Sequence, residues 1–555
     1  MLALNEVIRK HVLKNAFDYG KATSGGVVGK VIAEFPDAKS DMKAAMAEIN
    51  KIVGEINALS KPEIEKQMEN FTYVEKKIEE KKLVFSNAEQ GKVVVRFPPE
   101  PNGYPHIGHA KAFFLEWTVA RECGGKVILR WDDTNPEAEK KEFLDAIRDG
   151  IKWLGMDWDE EVYCSDYMPK LYLLNEQLLK QGDAYICECS QEKVAQGREK
   201  MQRCKCADGS AAQQLTLWKK MLDGSIVKGG ATVRLKADMA SLNTVMRDPT
   251  LWRIIEAPHY KQGNKYRVWP TYDFQGCVMD SLLGITHPLR SKEYELRDEL
   301  YFYLLRKLKL REPTLVTISR LSLQNSPISK RLLKPLVESG KLMGWDDPRL
   351  PTLAGLRRRG ILPEAIKNFV LSFGLSKVES NPSWERLLVE NKKLLEQHAE
   401  HFFFVPNAVK LKISGSTKLE VEKRDKAASH NLAGIEDKST VYVPQSEVSG
   451  GGDVRLKGFA SVKITGKNAA VINAVPDKKV QWVFADGAVK TKLLVPGELL
   501  NKSGEFNEAS LKEVSGYCPP SVLELNEGDV VQFERVGFAR LDQKTKTTAT
   551  FIFSC

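Results

Sequence analysis

The chain has 555 residues, too many for one hydrophobic core, so several domains are expected. Apolar residues make up 42% and charged residues 28%, the balance of an ordinary soluble globular protein. The net charge of +10 suits a polyanionic partner, although a solvated basic surface spread over this length gives the same count. No apolar run approaches the roughly 18 residues of a membrane span. Asn5, Glu6, Arg9 and Lys10 break up the segment after Met1, so no secretory signal is expected. Nine cysteines, an odd number, fit reduced thiols in a cytoplasmic chain.

Residues 1–86 read as a separate helical module. Met42, Met46, Ile49, Val53 and Ile56 predict one apolar stripe of an amphipathic helix. Gly25-Gly-Val-Val-Gly29-Lys30 has the wrong spacing for a phosphate loop and lacks the following Ser or Thr, so these glycines are expected to join two helices. Residues 87–185 alternate strand and helix. The β-branched run leading into Phe97 predicts a buried parallel strand. Pro98, Pro99, Pro101 and Pro105, with Asn102 and Gly103, then enforce a loop. A helix begins near Ile107, which puts His106 and His109 on its first turn, where free N–H groups and the dipole favour phosphate. Gly108 between them would let a nucleotide lie close to the backbone. A lone His-x-x-His is usually two exposed histidines; the preceding strand and proline loop make this one a candidate site. Lys126–Trp131 predicts a second strand, ending on Asp132-Asp133. Ligands of doubly wound α/β sheets bind beyond the carboxyl ends of the strands, so both loops should build one site.

Residues 186–260 break the alternation and read as an insertion. Cys187, Cys189, Cys204 and Cys206 are two close pairs suited to tetrahedral zinc, against the alternative of incidental free thiols. The sheet pattern resumes over 261–335 with Tyr266–Pro270, Tyr272, a short strand reaching Arg290, and Leu315–Ser319. Ser329 and Lys330 follow in a loop before a helix, where a lysine could reach back as a mobile charge for phosphate. Residues 336–402 read as a helical connector carrying Arg357-Arg-Arg359, a solvated helix end or a nucleic-acid contact. Residues 403–555 read as one or two β-barrels, with Val480, Trp482 and Phe484 alternating ahead of an Asp486-Gly487 hairpin turn.

Pro98, Pro99, Glu100, Pro101, Asn102, Gly103, Tyr104 and Pro105 lead into His106-Ile107-Gly108-His109, and the whole stretch resembles the first signature of the class I aminoacyl-tRNA synthetases. Trp131-Asp-Asp-Thr-Asn-Pro, Pro270-Thr-Tyr-Asp-Phe and Gly344-Trp-Asp-Asp-Pro-Arg resemble the glutamyl/glutaminyl branch of archaeal or eukaryotic type. Pro327-Ile-Ser-Lys330-Arg331 keeps only the central Ser and Lys of the second signature, Lys-Met-Ser-Lys-Ser.

The resemblance implies a Rossmann-type catalytic domain, amino-acid activation by ATP with Mg2+, and transfer to the terminal adenosine of tRNA. It implies that His106, Gly108, His109, Ser329 and Lys330 hold ATP. Arg96, Asp132, Tyr272 and Arg290 would hold the amino acid, with Asp132 meeting its α-ammonium. Arg290 falls where glutamyl enzymes carry arginine, and two arginines suit a γ-carboxylate better than an amide, which favours L-glutamate and tRNA(Glu). The cysteines resemble a structural zinc module of this branch, and the insertion would hold the tRNA acceptor end. The connector would line the inside of the tRNA, the barrels would read the anticodon, and tRNA affinity would fall steeply with salt. A monomer is expected; use of tRNA(Gln) is left open. The rivals are a glutaminyl enzyme, a nucleotidylyltransferase not using tRNA, and a non-enzymatic tRNA-binding paralogue.

Overall fold

The computed structural model describes residues 3–19, 21–71, 83–327, 329–414, 427, 430, 439–501 and 503–555. It divides into two compact units, Met1–Lys82 and Leu83–Cys555. Among the described residues, no helix is long and apolar enough to cross a membrane.

The first unit holds α1 (Leu4–Tyr19), α2 (Ser24–Glu34), α3 (Met42–Asn57) and α4 (Lys61–Met68). Two expectations change here. The glycines at 25, 26 and 29 lie inside α2: Thr23 caps it by accepting the Gly26 N–H, and burial of Val27 and Val31, one turn apart, offsets glycine's poor helix propensity. In α3 the buried face is Ala45, Ile49, Ile52 and Ile56, while Met42 is 38% exposed. The stripe is turned toward Ala45 and Ile52 because α1 and α2 both pack on α3.

The second unit is built on parallel strands β1 (Val94–Phe97), β2 (Lys126–Trp131) and β3 (Glu160–Tyr163), with α5 (Ile107–Glu122) and α6 (Lys141–Trp153) as crossovers. After α7 (Met168–Gln181) the chain leaves this sheet. Strand β4 (Ala184–Cys187), α8 (Gln191–Glu199), α9 (Ala211–Asp223), β5 (Thr232–Leu235), β6 (Thr250–Ile254) and β7 (Val268–Pro270) form the insertion, whose strands make an antiparallel sheet in chain order. Then α10 (Tyr272–Leu282), β8 (Leu289–Ser291), α11 (Asp298–Leu308) and β9 (Val316–Ile318) return to the parallel layer, β8 pairing with β9. Thr286, just before β8, donates its N–H to Val94 O, and its hydroxyl accepts the Val94 N–H. Strand β1 therefore has β2 on one side and the β8 segment on the other, and a crevice opens at its carboxyl end.

The insertion is larger than its expected span of 186–260. Strand β4 already pairs with β5 from Ala184, and β7 pairs antiparallel with β6 through Pro270. Short apolar β-runs look alike whatever strand they join, so the sequence did not reveal β7's partner.

Four helices follow: α12 (Lys330–Glu338), α13 (Leu353–Arg359), α14 (Pro363–Leu371) and α15 (Trp384–Leu395). The remaining strands form two seven-stranded sheets. The expected hairpin at Asp486-Gly487 is absent: Val483–Phe484 pairs with Thr440–Pro444, whereas Val489–Pro496 pairs in the other sheet. The turn carries the chain between two cores, and Trp482 and Phe484 are both buried in the first.

Gly125 sets the spacing of β1 and β2, because a Cβ there would lie 2.2 Å from Val93 O, the acceptor of the Lys126 N–H. Gly125→Ala is expected to destabilise the catalytic layer by about 1–3 kcal/mol, read as a lower urea midpoint for its unfolding transition.

Candidate active site

The proline loop ends at α5, and its two histidines cap that helix themselves. His106 is the N-cap: its Nδ1 accepts the Gly108 N–H at 3.1 Å. His109 Nδ1 accepts the His106 N–H at 3.2 Å, and the ring centroids lie 3.9 Å apart. An Nδ1 that accepts is unprotonated, so each neutral ring carries its proton on Nε2, the one donor it can offer a ligand. Burial lowers both imidazoles: His109 falls to about 4, and His106, with His109 and Arg320 adding to the effect, lies well below its usual value. Gly108 is required by its neighbours: a Cβ would sit 2.9 Å from His106 Cε1 and 3.1 Å from Leu321 O.

The loop is held from several directions. Pro99 O accepts the Asp132 N–H, Pro101 O the Lys140 N–H, and Pro105 O the Leu353 N–H. Tyr104 stacks on Trp345 at 5.2 Å. Lys330, the first residue of α12, crosses to the loop, donating to Asn102 O at 2.9 Å with its ammonium 4.2 Å from the Phe143 ring centroid. Ser329 precedes it as the N-cap residue, and Ile328 lies outside the described residues.

Two cavities of about 430 Å³ each adjoin, sharing Glu100, Asn102, His106 and His109 as walls. Lys330, Gly103, Tyr104 and Trp345 line one. Arg96, Pro98, Pro99, Gly108, Asp132, Tyr272, Arg290 and Ser319 line the other. The structure thus brings His106, Gly108, His109, Lys330, Arg96, Asp132, Tyr272 and Arg290 together at the end of β1, whereas Ser329 lines neither cavity.

The two arginines differ in what remains free. Arg96 is buried; its Nε donates to Asp280 and its Nη1 to Glu116 and Leu289 O. Arg290 is 5% exposed and pairs through Nη1 with Asp298 at 2.8 Å, but its buried Nε has no partner. The Tyr272, Tyr294 and Tyr301 rings surround its guanidinium at 5.1–5.7 Å. Arg290 is therefore a buried cation at the cavity wall with one carboxylate partner, whereas Arg96 has two. Asp132 is held bidentate by Arg130, and its Oδ1 also accepts from Gln275.

Sequence reasoning missed Arg130, Asp280 and Glu116. Asp280 Oδ1 accepts from Arg96 and Arg130 at 2.9 and 2.6 Å, and its Oδ2 accepts the Tyr301 hydroxyl. The available signal was an acid inside each of two apolar helices, α5 and α10. It also gave Asp133 a place beside Asp132 in the site. Asp133 instead accepts from Ser165 and Tyr260, bracing the loop from behind.

In the insertion, the sulfurs of Cys187, Cys189, Cys204 and Cys206 all lie within 4.8 Å of one another. Cys187 and Cys204 are 3.6 Å apart, Cys189 and Cys206 3.8 Å. Tetrahedral zinc with bonds of about 2.3 Å needs sulfurs about 3.8 Å apart, so the four residues fit such an ion.

Residues 92–397 match the family described as tRNA synthetases class I (E and Q), catalytic domain, and residues 479–542 match the corresponding anti-codon binding domain. The chain belongs to this class I synthetase family. It is 40% identical to the glutamate–tRNA ligase of Nitrosopumilus maritimus (strain SCM1), covering 98% of each chain. It is 37% identical to that of Korarchaeum cryptofilum (strain OPF8), covering 99% of each, and 34% identical to that of Pyrococcus furiosus, covering 98% of each.

One expectation for this synthetase is corrected. Of the three arginines expected to form either a solvated helix end or a nucleic-acid contact, two are engaged internally. Arg358 is bidentate on Asp542 and also reaches Asp346; Arg359 is 4% exposed, donating to Ser554 O. Arg357 pairs with Asp149 at the surface.

Asp280→Asn leaves two buried arginines sharing a neutral amide. It is expected to destabilise the synthetase by about 3–5 kcal/mol, measured by denaturant unfolding. The histidines set an acid limit. Their folded pKa values lie below the unfolded 6.5, so the unfolded state takes up protons first. Their contribution to stability is complete above about pH 6.5 and lost as pH falls toward 4. Thermal midpoints of wild type and His109→Asn should differ in slope across that window, the variant being flatter.

Proposed function

We propose that this synthetase is a glutamate–tRNA ligase, activating L-glutamate with ATP and transferring it to the terminal adenosine of tRNA(Glu), with release of diphosphate and AMP. Similarity over nearly the full chain to archaeal glutamate–tRNA ligases supports the overall reaction. The observation that carries the substrate assignment is Arg290, buried at the cavity wall with a single, partly exposed carboxylate partner. A γ-carboxylate would add a second counter-charge to the one Asp298 supplies, which an amide could not, and this disfavours the glutaminyl reading.

In the first step an α-carboxylate oxygen of glutamate attacks the α-phosphorus of ATP and diphosphate departs. The Nε2–H donors of His106 and His109 face the phosphates from the helix end. Lys330 approaches from the opposite wall, where its charge offsets that developing on the departing diphosphate. Catalysis then rests on position and preorganised charge. Asp132, fixed by Arg130, meets the α-ammonium, and Tyr272 closes the pocket beside Arg290. In the second step the 2′-hydroxyl of the terminal adenosine attacks the carbonyl carbon and AMP leaves.

Magnesium bound with the nucleotide would supply positive charge that neutralises part of the triphosphate. Zinc, held by Cys187, Cys189, Cys204 and Cys206, would be structural, because four thiolates leave no open position. The insertion would take the acceptor end and the barrels the anticodon. We place the enzyme in the cytoplasm: its nine cysteines form no disulfide.

The deciding experiment charges purified tRNA(Glu) and tRNA(Gln) with each amino acid. Glutamate on tRNA(Glu) is expected; charging with glutamine alone would overturn the assignment. Arg290→Gln should raise the KM for glutamate about 100-fold, the loss of a charge-assisted bond worth about 3 kcal/mol, with the KM for ATP nearly unchanged. Lys330→Ala should instead lower kcat by about two orders of magnitude in ATP–diphosphate exchange while leaving the KM for glutamate within a few-fold.

A further inference from the structure

Arg234, on β5 of the insertion, is 2% exposed and makes no ion pair with a carboxylate among the described residues. Its Nη1 points at two sulfurs, Cys187 at 3.9 Å and Cys204 at 4.0 Å. Its Nε donates to the backbone oxygen of Asp248, and its Nη2 is buried without a partner. The nearby carboxylate is already engaged: Asp248 holds Arg203 through both oxygens and also accepts from Tyr185 and the Ala237 N–H. Two guanidinium groups, Arg203 and Arg234, thus stand against one carboxylate in a mostly buried setting.

Such a surplus cation is costly unless an anion offsets it. Four neutral thiols do not. Four thiolates around a divalent ion carry two negative charges in all, and two of those sulfurs are the ones Arg234 faces. Outer groups of this kind commonly set metal affinity.

We propose that Arg234 is the positioning residue that makes the four-cysteine site and the loop from Ala237 to Asp248 one metal-dependent unit. Its Nη1 offsets the charge of the thiolate cluster, and its Nε pins Asp248, the end of the loop. That loop presents Leu242 to solvent at 91% exposure. Metal and loop are then coupled: with the ion removed, the buried guanidinium loses its counter-charge, and the lowest-energy escape is to open the loop and hydrate it. The inference rests on the zinc reading above, and the test separates the two.

The test uses the full-length protein reconstituted with Zn2+. Zinc content is measured by mass spectrometry, affinity by competition with a chromogenic chelator, and protection of residues 237–248 by hydrogen exchange. The wild type should hold one zinc per chain and lose protection in this loop on chelation. Arg234→Met should weaken zinc binding about 10- to 100-fold and leave the loop unprotected even when loaded. Arg234→Lys, which keeps the charge but cannot make both contacts, should recover most of the affinity and little of the protection. Wild-type zinc affinity and loop protection in Arg234→Met would overturn the role of Arg234 and leave the zinc site standing. A wild type that takes up no zinc would overturn both. Should Arg234→Met fail to fold, the lysine variant alone decides: full loop protection in it would refute the Asp248 link.

Discussion

One carboxylate, Asp280, organises the catalytic end of this synthetase. It lies on α10, yet it accepts from Arg96 at the end of β1 and from Arg130 near the end of β2, with Tyr301 of α11 on its other oxygen. Three separate parts of the chain, on both sides of the insertion, are fixed to one buried point. Charges so deeply buried are tolerated only when each has a good partner, so the geometry has little freedom. Arg130 in turn orients Asp132, and Glu116 completes the shell of Arg96. The Arg96 side of the cleft is therefore tightly fixed, and Arg290 stands at its edge with Asp298 as its carboxylate partner.

The wall at the start of α5 is built on a different principle. A helix end leaves N–H groups without partners, and here the histidines' own Nδ1 atoms take two of them. This fixes the tautomers, so both rings can only donate outward. A short polar cap such as serine would satisfy the helix without presenting a donor at that distance. Lys330 completes the arrangement from α12, across the proline loop, anchored on a backbone oxygen rather than a carboxylate, so its charge is not consumed.

The distal parts are joined to this cleft by contacts that composition does not advertise. Arg358 links α13 to Asp542 of the C-terminal sheets and to Asp346, beside the tryptophan that stacks on Tyr104 of the signature loop. The basic cluster is thus partly a fastening between domains. In the insertion, Arg203 and Arg234 stand against the single carboxylate of Asp248 beside the cysteine cluster.

The sequence by itself determined the proline loop and the helix after it, the cysteine pairs, and part of the crevice lining, including His106, His109, Lys330 and Arg290 but not Glu116. These follow from local rules: proline and glycine restrict the backbone, apolar spacing selects helix or strand, and short signatures keep their chemistry together. Tertiary structure alone decided which strand pairs with which, and so moved Val268–Pro270 into the insertion and dissolved the hairpin at Asp486-Gly487. It decided that the glycines near residue 26 continue a helix, because a threonine cap and two buried valines outweigh them. It also decided the protonation of His106 and His109, the partners of Arg96, and the burial of Arg290 at the cavity wall. Those properties depend on which groups lie within about 3 Å across long stretches of chain, and on how much water remains around them, neither of which a local pattern encodes.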